Sequence, residues 1–317
     1  MMRPEASDPF ESACAASTIP TRPVMRPEAS DPFEAERARL TRLAYRMLGS
    51  FAEAEDVVQS AWLRWQAADR AAVAVPGAFL SRIVTRLCLD TMKSARARRE
   101  VYVGPWLPEP ALDTEEAIDG DDLTLTLMMA LERLSPLERA AFLLHDVFGV
   151  PLDEVAATLG RAAPAVRQLA VRARQHVRAE RPRYPLPTEE GERIARAFFD
   201  ASRSGDVAAL RGLLSETVTM RADGGGKVIA VLNPIRGIDR VLRLFSGLAR
   251  KYAGSPATLL RAVRVDGLPG FVSLERGGVL QVTALEIRDG RIAGIYITRN
   301  PDKLRRVAEA VAIPDVR

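Results

Sequence analysis

Apolar residues recur at helical spacing through the first 180 positions, then give way to strand-like runs set between helices. Leu40, Leu43, Ala44, Met47 and Leu48 form one stripe. Positions 54–65 predict a second helix, and positions 79–99 a third with Ile83, Val84, Leu87 and Leu89 on its inner face. The pattern lapses over 104–122, which is acidic and proline-containing, and resumes at Leu123 through to about Glu180. Pro182, Pro185 and Pro187 break it again. Beyond Thr188 the spacing predicts helices at 189–204, 206–215 and 237–252. It predicts strands at 217–222, 227–232, 258–266, 270–276, 279–288 and 291–298. Asp289-Gly290 has the composition of a two-residue hairpin turn. Helices first, then an antiparallel sheet that curls, predict an α+β cone for this last part.

The most informative stretch is 151–178. Val155 and Leu159 mark the inside of one helix, and Gly160 supplies the left-handed residue that ends it. Pro164 suits the first turn of the next helix, where its missing N–H is not needed. Val166, Leu169, Ala170 and Ala173 form the buried stripe of that second helix, leaving Arg167, Gln168, Arg172, Arg174 and Arg178 outside. This is the build of a helix-turn-helix with a basic recognition helix, although a plain helical hairpin with a solvated basic face has the same spacing.

Charge placement sharpens the picture more than the total of +4. Residues 82–100 carry six Lys/Arg against two acids, 161–183 carry seven Arg against one, and 106–122 carry seven acids and no base. Two basic blocks predict a polyanionic partner. Cys14 and Cys88 make neither a disulfide framework nor a metal site, which fits a reducing cytoplasm. The sequence has no apolar run of membrane-spanning length and no secretion signal. Residues 2–11 recur unchanged at 25–34, so 1–34 is expected to be a disordered tail, with Met25 an alternative start.

Three blocks carry a family resemblance. Residues 51–65, FAEAEDVVQSAWLRW, resemble the polymerase-binding helix of bacterial sigma factors, and 78–99 resemble the helix that reads the −10 element. With the helix-turn-helix they are similar to the two-domain extracytoplasmic-function type. Trp106-Leu-Pro-Glu-Pro, Asp223-Gly-Gly-Gly-Lys and Asn300-Pro-Asp-Lys-Leu resemble the signatures of a subgroup with a fused SnoaL-like domain. Ser60, where an acid is common, and Ala163, where a capping serine is usual, depart from the family pattern.

The resemblance implies a tail to 34, a region 2 domain at 35–103, an acidic linker at 104–122, a region 4 domain at 123–183, a second linker at 184–188 and a SnoaL-like regulatory domain at 189–317. It implies core RNA polymerase, through its β′ clamp and β flap, and promoter DNA as partners. Neither a cofactor nor a membrane is expected, and a small ligand in the cone is a further reading. Asp56, Gln59 and Trp62 are the polymerase-contact candidates, with Trp62 and Trp65 read first as core anchors. Arg82, Arg86, Lys93, Arg96, Arg98 and Arg99 are expected to line the −10 strand, with the loop 69–76 as pocket wall. Arg161, Arg167, Gln168 and Arg172 are expected to read the −35 duplex, Gln168 by pairing with adenine and an arginine with guanine.

Trp106, Asp223, Gly224, Lys227, Asn300, Asp302 and Lys303 are expected to join the third domain to the other two as a built-in regulator. A non-enzyme is expected, because His145 and His176 both precede Thr188. The acid/base candidates there are Asp200, Asp223, Asp239, Glu275 and Glu286, of which Asp200 and Asp239 fit helix solvation or capping. The rival reading is a one-component, ligand-sensing DNA-binding regulator that works without polymerase.

Overall fold

A computed structural model describes residues 31–100, 102–113, 124–178, 187–255 and 257–312; the side chains of 95–100 and 178 are outside it. Three helices open the described chain: α1 (Pro32–Leu48), α2 (Phe51–Gln66) and α3 (Pro76–Glu100). Helix α1 begins inside the stretch expected to be disordered, because Phe33 is apolar and fully buried in the core. The rest of the duplicated segment lies outside the described residues. Ser50 caps α2 by accepting from Glu53 N–H. Four more helices follow: α4 (Leu125–Leu131), α5 (Pro136–Phe142), α6 (Leu152–Leu159) and α7 (Ala163–Arg178). A Ser135/Glu138 capping box starts α5, and α5 continues into a wider π turn over Leu143–Val147. Gly160, at φ 62°, ends α6 in the left-handed conformation expected of it. The two helical groups share one apolar core that runs from Phe33 to Val177, with α3 packed on α5 and α6.

The remainder is α+β. Helices α8 (Thr188–Ser204) and α9 (Val207–Leu213) precede β1 (Leu214–Asp223), the two-residue β2 (Ile235–Arg236) and α10 (Ile238–Lys251). Strands β3 (Thr258–Val265), β4 (Leu268–Glu275), β5 (Val279–Arg288) and β6 (Arg291–Thr298) lead to α11 (Arg305–Ala310). The sheet order is β2-β1-β6-β5-β4-β3. It is mixed rather than all antiparallel, since β1 runs parallel to β6. The expected strand at 227–232 does not form. Gly225 and Gly226, both at positive φ, turn the chain after β1, and Val228, Ala230 and Val231 are apolar because they wall a cavity. Two hairpins turn on Asp-Gly pairs: Asp289-Gly290 as expected, and Asp266-Gly267, with φ of 44° and 72°.

Both faces of the sheet are covered. Helices α8 and α10 pack Ile194, Phe198, Val241 and Phe245 on one side, against Val218, Phe271, Leu285 and Ile295. On the other side Leu107 from the linker, Leu125 from α4 and Val307 from α11 meet Val265, Val272, Val282 and Tyr296. Strands β4, β5 and β6 are therefore buried almost continuously instead of on alternate residues. No described helix is long and apolar enough to cross a membrane.

Arg139 ties the helical groups together. It is buried, and its guanidinium donates to Met47 O at 2.7 Å, Leu131 O at 2.9 Å and Glu132 Oε1 at 2.6 Å. Removing it takes a charged donor from Met47 O near the end of α1, from Leu131 O and from the Glu132 carboxylate. Arg139→Met is expected to cost about 3 kcal/mol in urea unfolding of the full chain; a loss below about 1 kcal/mol would contradict this role.

Candidate functional site

The helix-turn-helix presents its predicted readers outward. Arg161, Arg167, Gln168 and Arg172 are all exposed on the described surface, with Arg172 paired to Glu138 at 2.8 Å. Arg82 is exposed on α3, and Lys93 pairs with Asp90 at 2.8 Å. Arg86 behaves differently: its Nε donates to Thr158 O at the end of α6, 3.3 Å away. The side chains of Arg96, Arg98 and Arg99 lie outside the described residues. The loop 69–76 contains one short 3₁₀ turn that starts on Asp69. On α2, Asp56 and Gln59 are exposed and Trp62 is half-buried. Trp65 is a core anchor, 1% exposed, with Arg70 over its ring.

The interdomain candidates converge on Asp223, at the end of β1. Its side chain is fully buried. One oxygen accepts from Tyr102 OH at 2.5 Å and from Gly225 N–H at 3.0 Å; the other accepts from Leu107 N–H at 2.9 Å and Lys303 Nζ at 2.7 Å. Lys303 also donates to Leu107 O and lies 4.2 Å from the Trp106 ring centroid. Asn300 donates to Tyr102 OH at 2.9 Å. The far edge of Trp106 presses on Gly49, where a Cβ would sit 2.6 Å from the indole. Gly224 is equally confined, since a Cβ there would meet Val228 O at 2.2 Å. Asp223 is thus buried at a strand end. Lys227 and Asp302, expected to reach the helical domains, pair with each other at 2.6 Å. Burial, reinforced by the Asp223 carboxylate, raises the Tyr102 pKa and keeps it a donor.

A second junction sits at the Asp266-Gly267 turn, and the sequence reading missed it. Asp266 N–H donates to Ala111 O at 2.8 Å, Asp266 O accepts from Leu125 N–H at 2.9 Å, and its carboxylate accepts from Ala111 N–H at 3.1 Å. Tyr45 of α1 completes the junction. Its hydroxyl lies 2.7 Å from Glu109 O and 3.0 Å from Asp266 Oδ1. Glu109, from the linker, caps α2 by accepting from Phe51 N–H at 2.7 Å. One hairpin turn therefore holds α1, the linker and the start of α4. A sequence signal existed, because Asp266-Gly267 repeats the dipeptide that marked the β5–β6 hairpin. Arg306 of α11 adds a contact to α2, pairing with Glu55 and lying 4.4 Å over the Phe51 ring.

The other carboxylates proposed for acid/base work have ordinary partners or solvent. Asp200 is exposed, Asp239 pairs with Arg211, Glu275 with Arg203, and Glu286 accepts from Tyr296 OH and Arg288.

Comparison with known proteins fits this geometry. A family model described as "Sigma-70 region 2" matches residues 33–98, and one described as "Sigma-70, region 4" matches 124–177. The chain is 39% identical over 289 residues to "ECF RNA polymerase sigma factor SigJ" of Mycobacterium tuberculosis, covering 85% of this chain and 91% of the relative. It is 34% identical over 277 residues to "Probable ECF RNA polymerase sigma factor SigI" of the same species, covering 85% and 92%. The crystal structure of M. tuberculosis SigJ superposes with a TM-score of 0.70 at 36% identity, covering 86% of this chain and 96% of that one.

The Tyr45 hydroxyl is the donor toward both Glu109 O and Asp266 Oδ1 and has one proton for the two, so it only partly satisfies the buried Asp266 carboxylate. Burial accordingly pushes the Asp266 pKa up to about 7, against opposing hydrogen bonds from Ala111 and Tyr45. Between about pH 4 and 7 the folded chain holds a proton that the unfolded chain releases. Stability therefore falls as pH rises through that window and levels above it. Asp266→Asn, which tolerates the positive φ, is expected to reduce the loss between pH 5 and pH 8 in urea titrations. Equal losses in variant and wild type would refute the assignment.

Proposed function

Because this chain belongs to the extracytoplasmic-function RNA polymerase sigma factors, with a SnoaL-like domain at its C-terminal end, we propose that it is held in an initiation-incompetent form by that domain. As a sigma factor it binds core RNA polymerase and directs promoter recognition. The roles follow the family resemblance, and Asp56, Gln59, Arg82, Arg161, Arg167, Gln168 and Arg172 are exposed as it requires. Asp56, Gln59 and Trp62 meet the β′ clamp; Arg82, Arg86, Lys93, Arg96, Arg98 and Arg99 track the −10 strand; Arg161, Arg167, Gln168 and Arg172 read the −35 duplex, while region 4 engages the β flap. The domain divisions at about 35–103, 123–183 and 189–317 belong to the same reading, as does action in the cytoplasm without enzymatic chemistry.

The observation that carries the proposal is the pinning of the linker. Promoter elements centred about 25 base pairs apart are separated by roughly 85 Å along B-DNA, at about 3.4 Å per pair. The −10 helix here touches the helix-turn-helix through the Arg86–Thr158 contact. Residues 101–124, fully extended, reach at most roughly 80 Å. While 102–113 stay docked on the sheet, only 114–124 are left to stretch, at most roughly 40 Å. Both ends of that remaining segment are also fixed to the β3–β4 turn, by Asp113 N–H to Arg264 O and Leu125 N–H to Asp266 O. Separation of the two DNA-binding domains therefore requires release of the linker. The rival one-component regulator has no use for the polymerase-binding helix, or for a linker length matched to this spacing.

Two outcomes test this reading in run-off transcription with core polymerase. Asp223→Asn leaves Lys303 buried beside a neutral partner and is expected to raise output at least about threefold by freeing the linker; one unit of ten in an equilibrium is only about 1.4 kcal/mol, less than a broken buried pair costs. Unchanged or lower output would refute the restraint. Arg167→Ala is expected to lower promoter use about tenfold with the melting temperature unchanged, since one base contact discriminates by about 1–3 kcal/mol; normal output from that variant would remove the −35 assignment.

A further inference from the structure

The C-terminal domain holds a cavity of about 770 Å³, open to solvent, between α8, α10 and the inner face of the sheet, within the range of small-molecule sites. Met220, Ala222, Leu244, Phe245, Leu248 and Ile297 make its walls apolar. Its charge is one-sided: Arg203, Arg276, Arg299 and Lys227 line it against a single carboxylate, Glu275. Three of these cations are engaged. Arg203 bonds Glu275, Arg276 lies over the Tyr252 ring, and Lys227 pairs with Asp302 outside the cavity. Among the described residues, the Arg299 guanidinium donates to a backbone carbonyl, Ile229 O at 2.7 Å, and to no carboxylate. The Nε atoms of both Arg299 and Arg203 are buried with no acceptor. Burial lowers the Arg299 pKa, as expected of a cation that has lost water without gaining a contacting anion.

Two partly buried guanidinium groups, each with a buried Nε short of an acceptor, at an apolar cavity call for a particular occupant. A neutral apolar molecule leaves the donors unsatisfied, and a small inorganic anion leaves the walls unfilled. The planar guanidinium fork matches a carboxylate. We propose that this cavity is a binding site for an organic carboxylate with an apolar, aromatic or medium-chain body, its carboxylate held by Arg299 and Arg203.

The site adjoins the linker clamp. Arg299 N–H donates to Asp223 O at 2.7 Å, and the next residue, Asn300, holds Tyr102. The 227–231 segment walls the cavity, and Gly226 just before it packs on Val103 of the linker, where an added Cβ would lie 3.2 Å away. Binding itself is independent of the sigma-factor reading; its effect on the linker rests on that reading.

Calorimetric titration of the full chain with 2-naphthoate and with decanoate, each against its methyl ester, tests the site without polymerase. The acids are expected to bind one per chain and at least tenfold more tightly than the esters. Arg299→Gln is expected to erase that preference and leave ester affinity unchanged. Glu275→Gln is expected to tighten the acids severalfold but not the esters, which keeps the test decisive if Arg299→Gln fails to fold. Absence of saturable binding, equal affinity for acid and ester, or acid affinity unmoved by Glu275→Gln overturns the proposal. Saturation with 2-naphthoate is also expected to change hydrogen exchange at the Leu107 amide; an unchanged rate contradicts the coupling to the linker. None of these failures bears on promoter recognition, which the assay does not involve.

Discussion

A peptide group removed from water must find a hydrogen-bond partner within the protein, and the acidic linker of this chain has been removed from water along much of 102–113. Two buried aspartates of the C-terminal domain meet most of that demand. Asp223 receives Leu107 N–H and Tyr102 OH, while the Asp266 turn exchanges hydrogen bonds with Ala111 through backbone and side chain. Neither aspartate acts alone. Lys303 neutralises Asp223 from β6's end of the domain, and Tyr45 reaches Asp266 from α1. The compact form is therefore a set of mutually dependent polar contacts laid over an apolar interface. Such sets are stable when complete and costly when broken at one point.

The apolar part of the interface explains the composition of the sheet. A cone domain standing alone needs only one apolar face, yet β4, β5 and β6 bury residues on both. Leu107, Leu125 and Val307 fill the second face. The linker is thus part of the sheet domain's packing as well as a tether between helical domains. Its release exposes apolar surface, so the open form needs a compensating partner. In the proposed function, polymerase and promoter supply that compensation, and the tether lengths make release a requirement for spanning both promoter elements.

The helices were legible in the sequence because their apolar spacing is local: α2, α3, α6 and α7 lie close to their expected spans, and Gly160 ends α6 as its chemistry dictates. The strands were legible as elements, but their partners were not. Nothing in the 217–222 pattern tells a parallel neighbour from an antiparallel one, and the apolar 227–232 run reads as a strand when it walls a cavity. The family signatures pointed to Asp223, Asn300, Lys303 and Trp106, which meet at one clamp. They could not distinguish Lys227 and Asp302, which satisfy each other. Tyr45, Glu109, Arg139 and Asp266 went unread because each acts on a group more than 50 residues away, which leaves no local trace.

The central claim is that the docked linker keeps the −10 and −35 readers together. Fluorescence energy transfer between dyes at Leu63→Cys on α2 and Val171→Cys on α7, both exposed sites, measures this separation directly in a chain carrying Cys14→Ser. Free protein is predicted to give one high-transfer population. Asp223→Asn is predicted to add a low-transfer population, and core polymerase with promoter DNA to convert the chain to it. High transfer that persists unchanged in the variant and in the promoter complex would contradict the account.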